Sequence, residues 1–82
     1  MKIKYFAWLK SITNTDCEYI MDKNIADIDS LKKYLCNKYP KLNEYIIKED
    51  IIRIAVNLEY ISNNCKLSSN DEIALFPPVS GG

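Results

Sequence analysis

An α+β fold, a mixed sheet of four to five strands with one main helix packed on one face, is predicted by three features of this 82-residue sequence. Apolar residues alternate with a period of two near both ends and in the second half, the pattern of strands that turn one side to a core. A single segment carries clear helical spacing. The length allows one small domain, because a chain this short buries only roughly 60–65% of the surface it exposes when unfolded. A two-domain enzyme is thereby excluded, and function belongs at the surface or at an end.

The first strand is predicted through Ile3, Tyr5, Ala7 and Leu9, which alternate with Lys2, Lys4, Phe6 and Trp8. A polar stretch from Ser11 to Asp16 leads to a second strand in Cys17 to Met21, antiparallel to the first. Asp27 stands before Ile28, Leu31, Tyr34 and Leu35, whose spacing sets them on one side of a helix, with Asn24 as an alternative cap. Pro40 disfavours helical backbone at Tyr39 and ends that helix near Lys38. A short helical turn fits within Leu42 to Asp50. Ile52, Ile54 and Val56 alternate in a third strand, Glu59 to Ile61 form a short one, and Glu72 to Phe76 form the last. Asn70, ahead of it, tolerates positive φ better than most residues. Pro77-Pro78 close that strand because neither can donate to a ladder.

With one helix between two strand groups, the stripes are buried most economically if the first strand is central and pairs parallel to the last. That is the β-grasp, or ubiquitin-like, fold over residues 1–78, with residues 79–82 as a tail. Its core should hold Ile3, Tyr5, Leu9, Leu31, Leu35, Ile52, Ile54, Val56, Ile73 and Leu75. Phe6 and Phe76 take the outward parity of neighbouring strands and Tyr60 joins them, so an exposed aromatic patch is expected, the kind that marks an interface.

Composition narrows function further. Eleven basic and eleven acidic residues cancel, which speaks against general nucleic-acid binding. No histidine occurs, which removes the commonest metal ligand and general base together. Cys17, Cys36 and Cys65 are odd in number and far apart, so they read as reduced, mostly buried thiols in a cytoplasmic protein rather than a zinc site. Charges interrupt the first ten residues too often for a signal peptide, and no stretch is long enough for a membrane span. Tyr19, Tyr34, Tyr39 and Tyr45 read as packing at the core edge. Glu49-Asp50 and Asp71-Glu72 read as solvated turns, so no metal site and no bound cofactor are expected.

Both glycines of the chain stand at its end, as Gly81-Gly82. Glycine passes where a Cβ would collide, so a tail entering a narrow channel and a merely frayed terminus are equally open on that pair alone. The approach Pro77-Pro78-Val79-Ser80 favours the channel. Six residues from Pro77 reach roughly 20 Å when extended, enough to visit another protein's active site. A carboxylate there is a poor electrophile until it is joined to a leaving group, as in an acyl-adenylate.

The ending Pro77-Pro78-Val79-Ser80-Gly81-Gly82 resembles that of the small, sulfur-carrying subunits of molybdopterin synthase, a ubiquitin-like family. Asp71-Glu72-Ile73-Ala74, Ala55-Val56-Asn57, Tyr5-Phe6-Ala7 and the helix with Leu31, Leu35 and Tyr39-Pro40 support the resemblance, at family-like spacing over nearly the whole chain. The family usually has glycine at the place of Asn70 and often arginine at that of Lys10, where lysine keeps charge but loses bidentate geometry. The resemblance implies that an adenylyltransferase resembling ubiquitin-activating enzymes uses ATP on the Gly82 carboxylate, and that a sulfur relay makes the thiocarboxylate. The tail from Pro77 to Gly82 would then enter the large synthase subunit, in a heterotetramer of two small and two large chains, and give sulfur to a cyclic pyranopterin monophosphate. Phe6, Tyr60, Phe76 and Lys10 would face that partner. Neither nucleic acid nor membrane is an implied partner. A carrier for thiazole synthesis and a modifier joined to target lysines are the competing readings.

Overall fold

The computed structural model describes residues 1–78. Strand β1 (Lys2–Tyr5) leads to a short helix α1 (Leu9–Thr13), strand β2 (Cys17–Tyr19) and the main helix α2 (Ile28–Lys38). A π-helical turn (Glu44–Lys48) and strands β3 (Arg53–Val56), β4 (Glu59–Ile61) and β5 (Glu72–Phe76) complete the order. The five strands form one sheet in the order β2-β1-β5-β3-β4. Strands β1 and β5 are parallel, with Ile3 opposite Ile73 and Tyr5 opposite Leu75, and the other neighbours are antiparallel. This is the β-grasp fold. The parallel pairing is the expected one, but β5 rather than β1 is the middle strand.

Helix α2 starts where its cap dictates. The Asp27 carboxylate accepts the Ser30 amide at 2.8 Å, and the Ser30 hydroxyl accepts the Asp27 amide at 3.1 Å, so two donors without intrahelical partners are satisfied reciprocally. At the other end the Tyr39 amide still reaches the Leu35 carbonyl before Pro40 stops the helix. Ile28, Leu31 and Leu35 lie on its buried side, in one cluster with Ile3, Tyr5, Ile54, Ile73 and Leu75 of the sheet. Full burial of each aliphatic side chain contributes about 1.5–3 kcal/mol before entropy is counted.

The first strand is shorter than its alternation suggests. Ala7 is exposed and takes φ 53°, which ends the pleat, and the carbonyls of Phe6 and Ala7 then accept the amides of Leu9 and Lys10 at 3.2 Å. Leu9 is still buried, carried inward by the turn into α1. Two more expected core residues, Ile52 and Val56, are half-buried and pack against the core from outside, whereas Ile20, Ile25, Leu42 and Ile46 belong to it. Asn70 is not at positive φ. The turn before β5 is held by Asp71, whose carboxylate accepts from the Ser68 amide at 2.7 Å and from Asn57 Nδ2 at 2.9 Å, so a side-chain acceptor shapes the turn without a left-handed residue at 70. The three cysteines are free and half-buried rather than buried. Tyr19 is 74% exposed, against the expected edge packing, with the Lys2 ammonium 5.8 Å from its ring centre. Among the described residues no helix is long and apolar enough to cross a membrane.

Glu18 ties β2 to the end of α2. Its carboxylate accepts from the hydroxyls of Tyr5 and Tyr39 and from the Lys38 ammonium, and Tyr5 is almost wholly buried. Burial pushes the Glu18 carboxyl up, but the hydrogen bonds from Lys38, Tyr39 and Tyr5 outweigh it and hold the group below its ordinary value. A depressed pKa contributes stability that is fully present above the unfolded value of about 4.3 and is lost as pH falls through the lower folded value. Glu18→Gln should therefore flatten the dependence of stability on pH between about 5 and 2, measured by urea unfolding at a series of pH values. Glu18→Ala, which leaves the Tyr5 hydroxyl without its acceptor, should cost about 1–3 kcal/mol at neutral pH.

Candidate functional site

Strand β5, which leads into Pro77-Pro78, lies in the middle of the sheet, with β1 on one side and β3 on the other. Phe76 is the last residue of β5 and stands opposite Arg53 of β3. On the β1 side the Phe6 amide donates to the Leu75 carbonyl at 3.1 Å, one bond past the end of the strand pairing. That bond brings Phe6 beside Phe76, and the two rings stack with centroids 4.4 Å apart and planes 15° from parallel. Tyr60 of β4 completes the group, its ring centre 5.7 Å from that of Phe76. Phe6 is 38% and Tyr60 66% exposed, and Phe76 is half-buried between them. Such offset aromatic contacts fix ring positions while leaving apolar area open to solvent.

The three aromatic positions expected on one face are thus brought together. Small residues make room for them, since Ala55 pairs with both Tyr60 and Ala74 across the ladders and is itself buried. Pro77, next along the chain, is half-buried and Pro78 is exposed. Val79, Ser80, Gly81 and Gly82 lie outside the described residues. Lys10 is exposed in α1 and, among the described residues, makes no ion pair or cation–π contact with the patch. Trp8, 39% exposed, was not singled out by the sequence pattern. Its ring meets that of Tyr45 at 4.8 Å, edge on, a contact between distant segments that no local periodicity signals.

The acidic pairs have structural roles or none. Asp71 holds its turn, and burial is too slight to offset the hydrogen bonds from Ser68 and Asn57 that keep its carboxyl below the usual range. Glu72 lies 3.5 Å from the Lys4 ammonium, and Glu49 and Asp50 are exposed. Among the described residues no group of three His, Cys, Asp or Glu converges as metal ligands would.

A β-grasp domain with an exposed aromatic patch at the end of β5, in a chain whose sequence closes on Gly-Gly, is a ubiquitin-like protein. The chain belongs to the ThiS family, whose profile matches residues 3–82. It is 37% identical to the molybdopterin synthase sulfur carrier subunit of Dictyostelium discoideum, over 99% of this chain and 94% of that one. Among solved structures it is similar to SAMP1 of Haloferax volcanii, a small archaeal modifier protein (TM-score 0.84, 28% identity, 100% and 98% of the two chains covered). It is also similar to a chain in the complex of subunits 1 and 2 of the molybdopterin-converting factor from Helicobacter pylori (TM-score 0.67, 26% identity, 99% and 96% covered).

Proposed function

We propose that this chain is the sulfur carrier subunit of a molybdopterin synthase, with the Gly82 carboxylate as its reacting group. The observation that carries the reading is the likeness to the Dictyostelium subunit over 99% of this chain, beside a family match that runs through Gly82. In this reading the Gly82 carboxylate attacks the α-phosphorus of ATP on an adenylyltransferase and expels pyrophosphate. A persulfide of a sulfur relay then displaces AMP, and a second thiol of that relay cleaves the acyl disulfide so formed, leaving the thiocarboxylate and a relay disulfide. The loaded tail, Pro77 to Gly82, enters the large subunit, where its sulfur attacks a cyclic pyranopterin monophosphate, water cleaves the resulting thioester to leave the sulfur on the pterin and restore the Gly82 carboxylate, and two deliveries build the dithiolene of the molybdenum cofactor. The acids, bases and phosphate-binding cations belong to the large subunit, which is how a chain without histidine can serve this chemistry. No cofactor is held by the small chain, ATP is used on its activating partner, and a heterotetramer of two small and two large chains in the cytoplasm is the working assembly.

The aromatic patch is the surface for docking the large subunit, with Lys10 of α1 as a further contact. Aromatic anchors in such interfaces commonly cost 2 kcal/mol or more when lost, roughly thirtyfold in affinity. Phe6→Asp should therefore weaken binding of the large subunit by about that factor in calorimetric titration while the domain stays folded. A second reading, a modifier joined to lysines of other proteins, is favoured by the likeness to SAMP1. Intact-mass analysis of the chain purified from its native cell separates the two. A species heavier by the difference between sulfur and oxygen marks the carrier, and adducts on other proteins mark the modifier.

A further inference from the structure

Arg53 is the chain's one arginine among ten lysines. It stands exposed on β3 directly opposite Phe76, at the root of the tail, and takes part in none of the ion pairs of the described residues. Beside it opens a cleft of about 410 Å³ between α2 and the β3–β4 edge. Lys32 of α2, half-buried and likewise without an ion pair among the described residues, lines the same cleft. Ile52 and Ile61 contribute apolar lining. Tyr60 belongs both to this cleft and to the aromatic patch, so the two surfaces are continuous.

We propose that this cleft is a second half of the partner interface and receives an acidic side chain with an apolar neighbour from the large synthase subunit, an inference that rests on the carrier reading above. The charge count selects the class of group. Arg53 and Lys32 are the two cations of the cleft and Asp50 its one carboxylate, which leaves one net positive charge, a match for a carboxylate rather than for a dianionic phosphate. A guanidinium offers a carboxylate two parallel hydrogen bonds, which an ammonium cannot. The isoleucines favour an apolar residue next to that carboxylate, and their covering removes water and strengthens the ion pair. The aromatic patch then supplies buried area, and Arg53 supplies orientation beside the point where the tail leaves the sheet.

Calorimetric titration of the cognate large subunit at low and high salt tests this with the full-length chain. Arg53→Glu should weaken binding by about tenfold or more and flatten its salt dependence, Arg53→Gln should do so less, and Arg53→Lys, which keeps the charge but loses the paired hydrogen bonds, should fall between Arg53→Gln and the unaltered chain. Melting temperatures of all three should stay near that of the unaltered chain, because Arg53 is exposed and unpaired with any described carboxylate. Unchanged affinity and salt slope for Arg53→Glu, alongside weakened binding by Phe6→Asp, would overturn this inference and leave the carrier reading standing. Failure of the unaltered chain to bind the large subunit at all would remove both.

Discussion

A chain lacking Gly81-Gly82 is expected to melt at the temperature of the full chain and to transfer no sulfur. The strands and helices of the described residues end at Phe76, and their buried core runs from Met1 to Leu75, so the deletion removes no residue of that core. It does remove the carboxylate that reacts in the carrier reading and shorten the reach from Pro78 by roughly 7 Å, when a misplacement of about 1 Å already costs on the order of 100-fold in rate. Gly81→Ala is the finer variant. It keeps length and carboxylate and adds one methyl group where, in the carrier reading, the tail would pass a partner's narrow channel, so sulfur transfer should slow by roughly tenfold or more while docking of the body is unchanged. Single-turnover transfer with the large subunit and adenylate formation with the activating enzyme, measured separately, show which partner is sensitive. Full activity in the deletion would end the carrier reading, and full activity in Gly81→Ala would end only the steric role of that glycine.

The part of the fold that was legible is the part fixed by local chemistry. Helix α2 begins after Asp27 and ends before Pro40 because a reciprocal cap and a proline act within one turn of the residues they constrain. Strands β3, β4 and β5 follow their alternation for the same reason. The exit from β1 was not legible, since Ala7 at φ 53° carries no glycine or asparagine signal, and Leu9 keeps the inward parity that a continued strand would also give. Five residues of α1 are too few to display a helical period. Ile20, Ile25, Leu42 and Ile46 are buried by tertiary packing of connections, for which a pattern of period two or 3.6 gives no sign.

For the site, parity sufficed to bring Phe6, Phe76 and Tyr60 together, although Phe6 reaches the patch through a single ladder bond beyond β1 rather than from within the strand. Arg53 was visible only as an outward residue of an alternating strand. Its meaning depends on the register that sets it against Phe76 and on the helix that brings Lys32 to the same cleft, and both are long-range facts. The Gly-Gly ending was visible from composition and position in the chain, whereas the chemistry expected of it was implied only by the resemblance that Pro77 to Gly82 carry.

Ile73→Ala is expected to be the most damaging single core substitution on the strand that carries the tail. Ile73 is fully buried in the middle strand and faces Ile3 on one side and Val56 on the other, so its side chain joins both halves of the sheet beneath α2. Truncation at such a site costs about 2–5 kcal/mol, the lost transfer energy plus the cavity that neighbours in paired strands cannot close. A domain of this length has about 4–12 kcal/mol in total, so the variant should lose a large fraction of its stability and melt roughly 10–30 °C lower. Ile73→Val removes one methylene group and should cost only about 0.5–1.5 kcal/mol, which separates a cavity from a loss of strand propensity, since valine favours strands as well as isoleucine does. Urea unfolding of both variants gives the two costs directly. Equal and small effects would mean that α2 and the sheet can collapse onto the vacated space, whereas a large cost for alanine alone identifies β5 as the strand through which packing fixes the root of the tail.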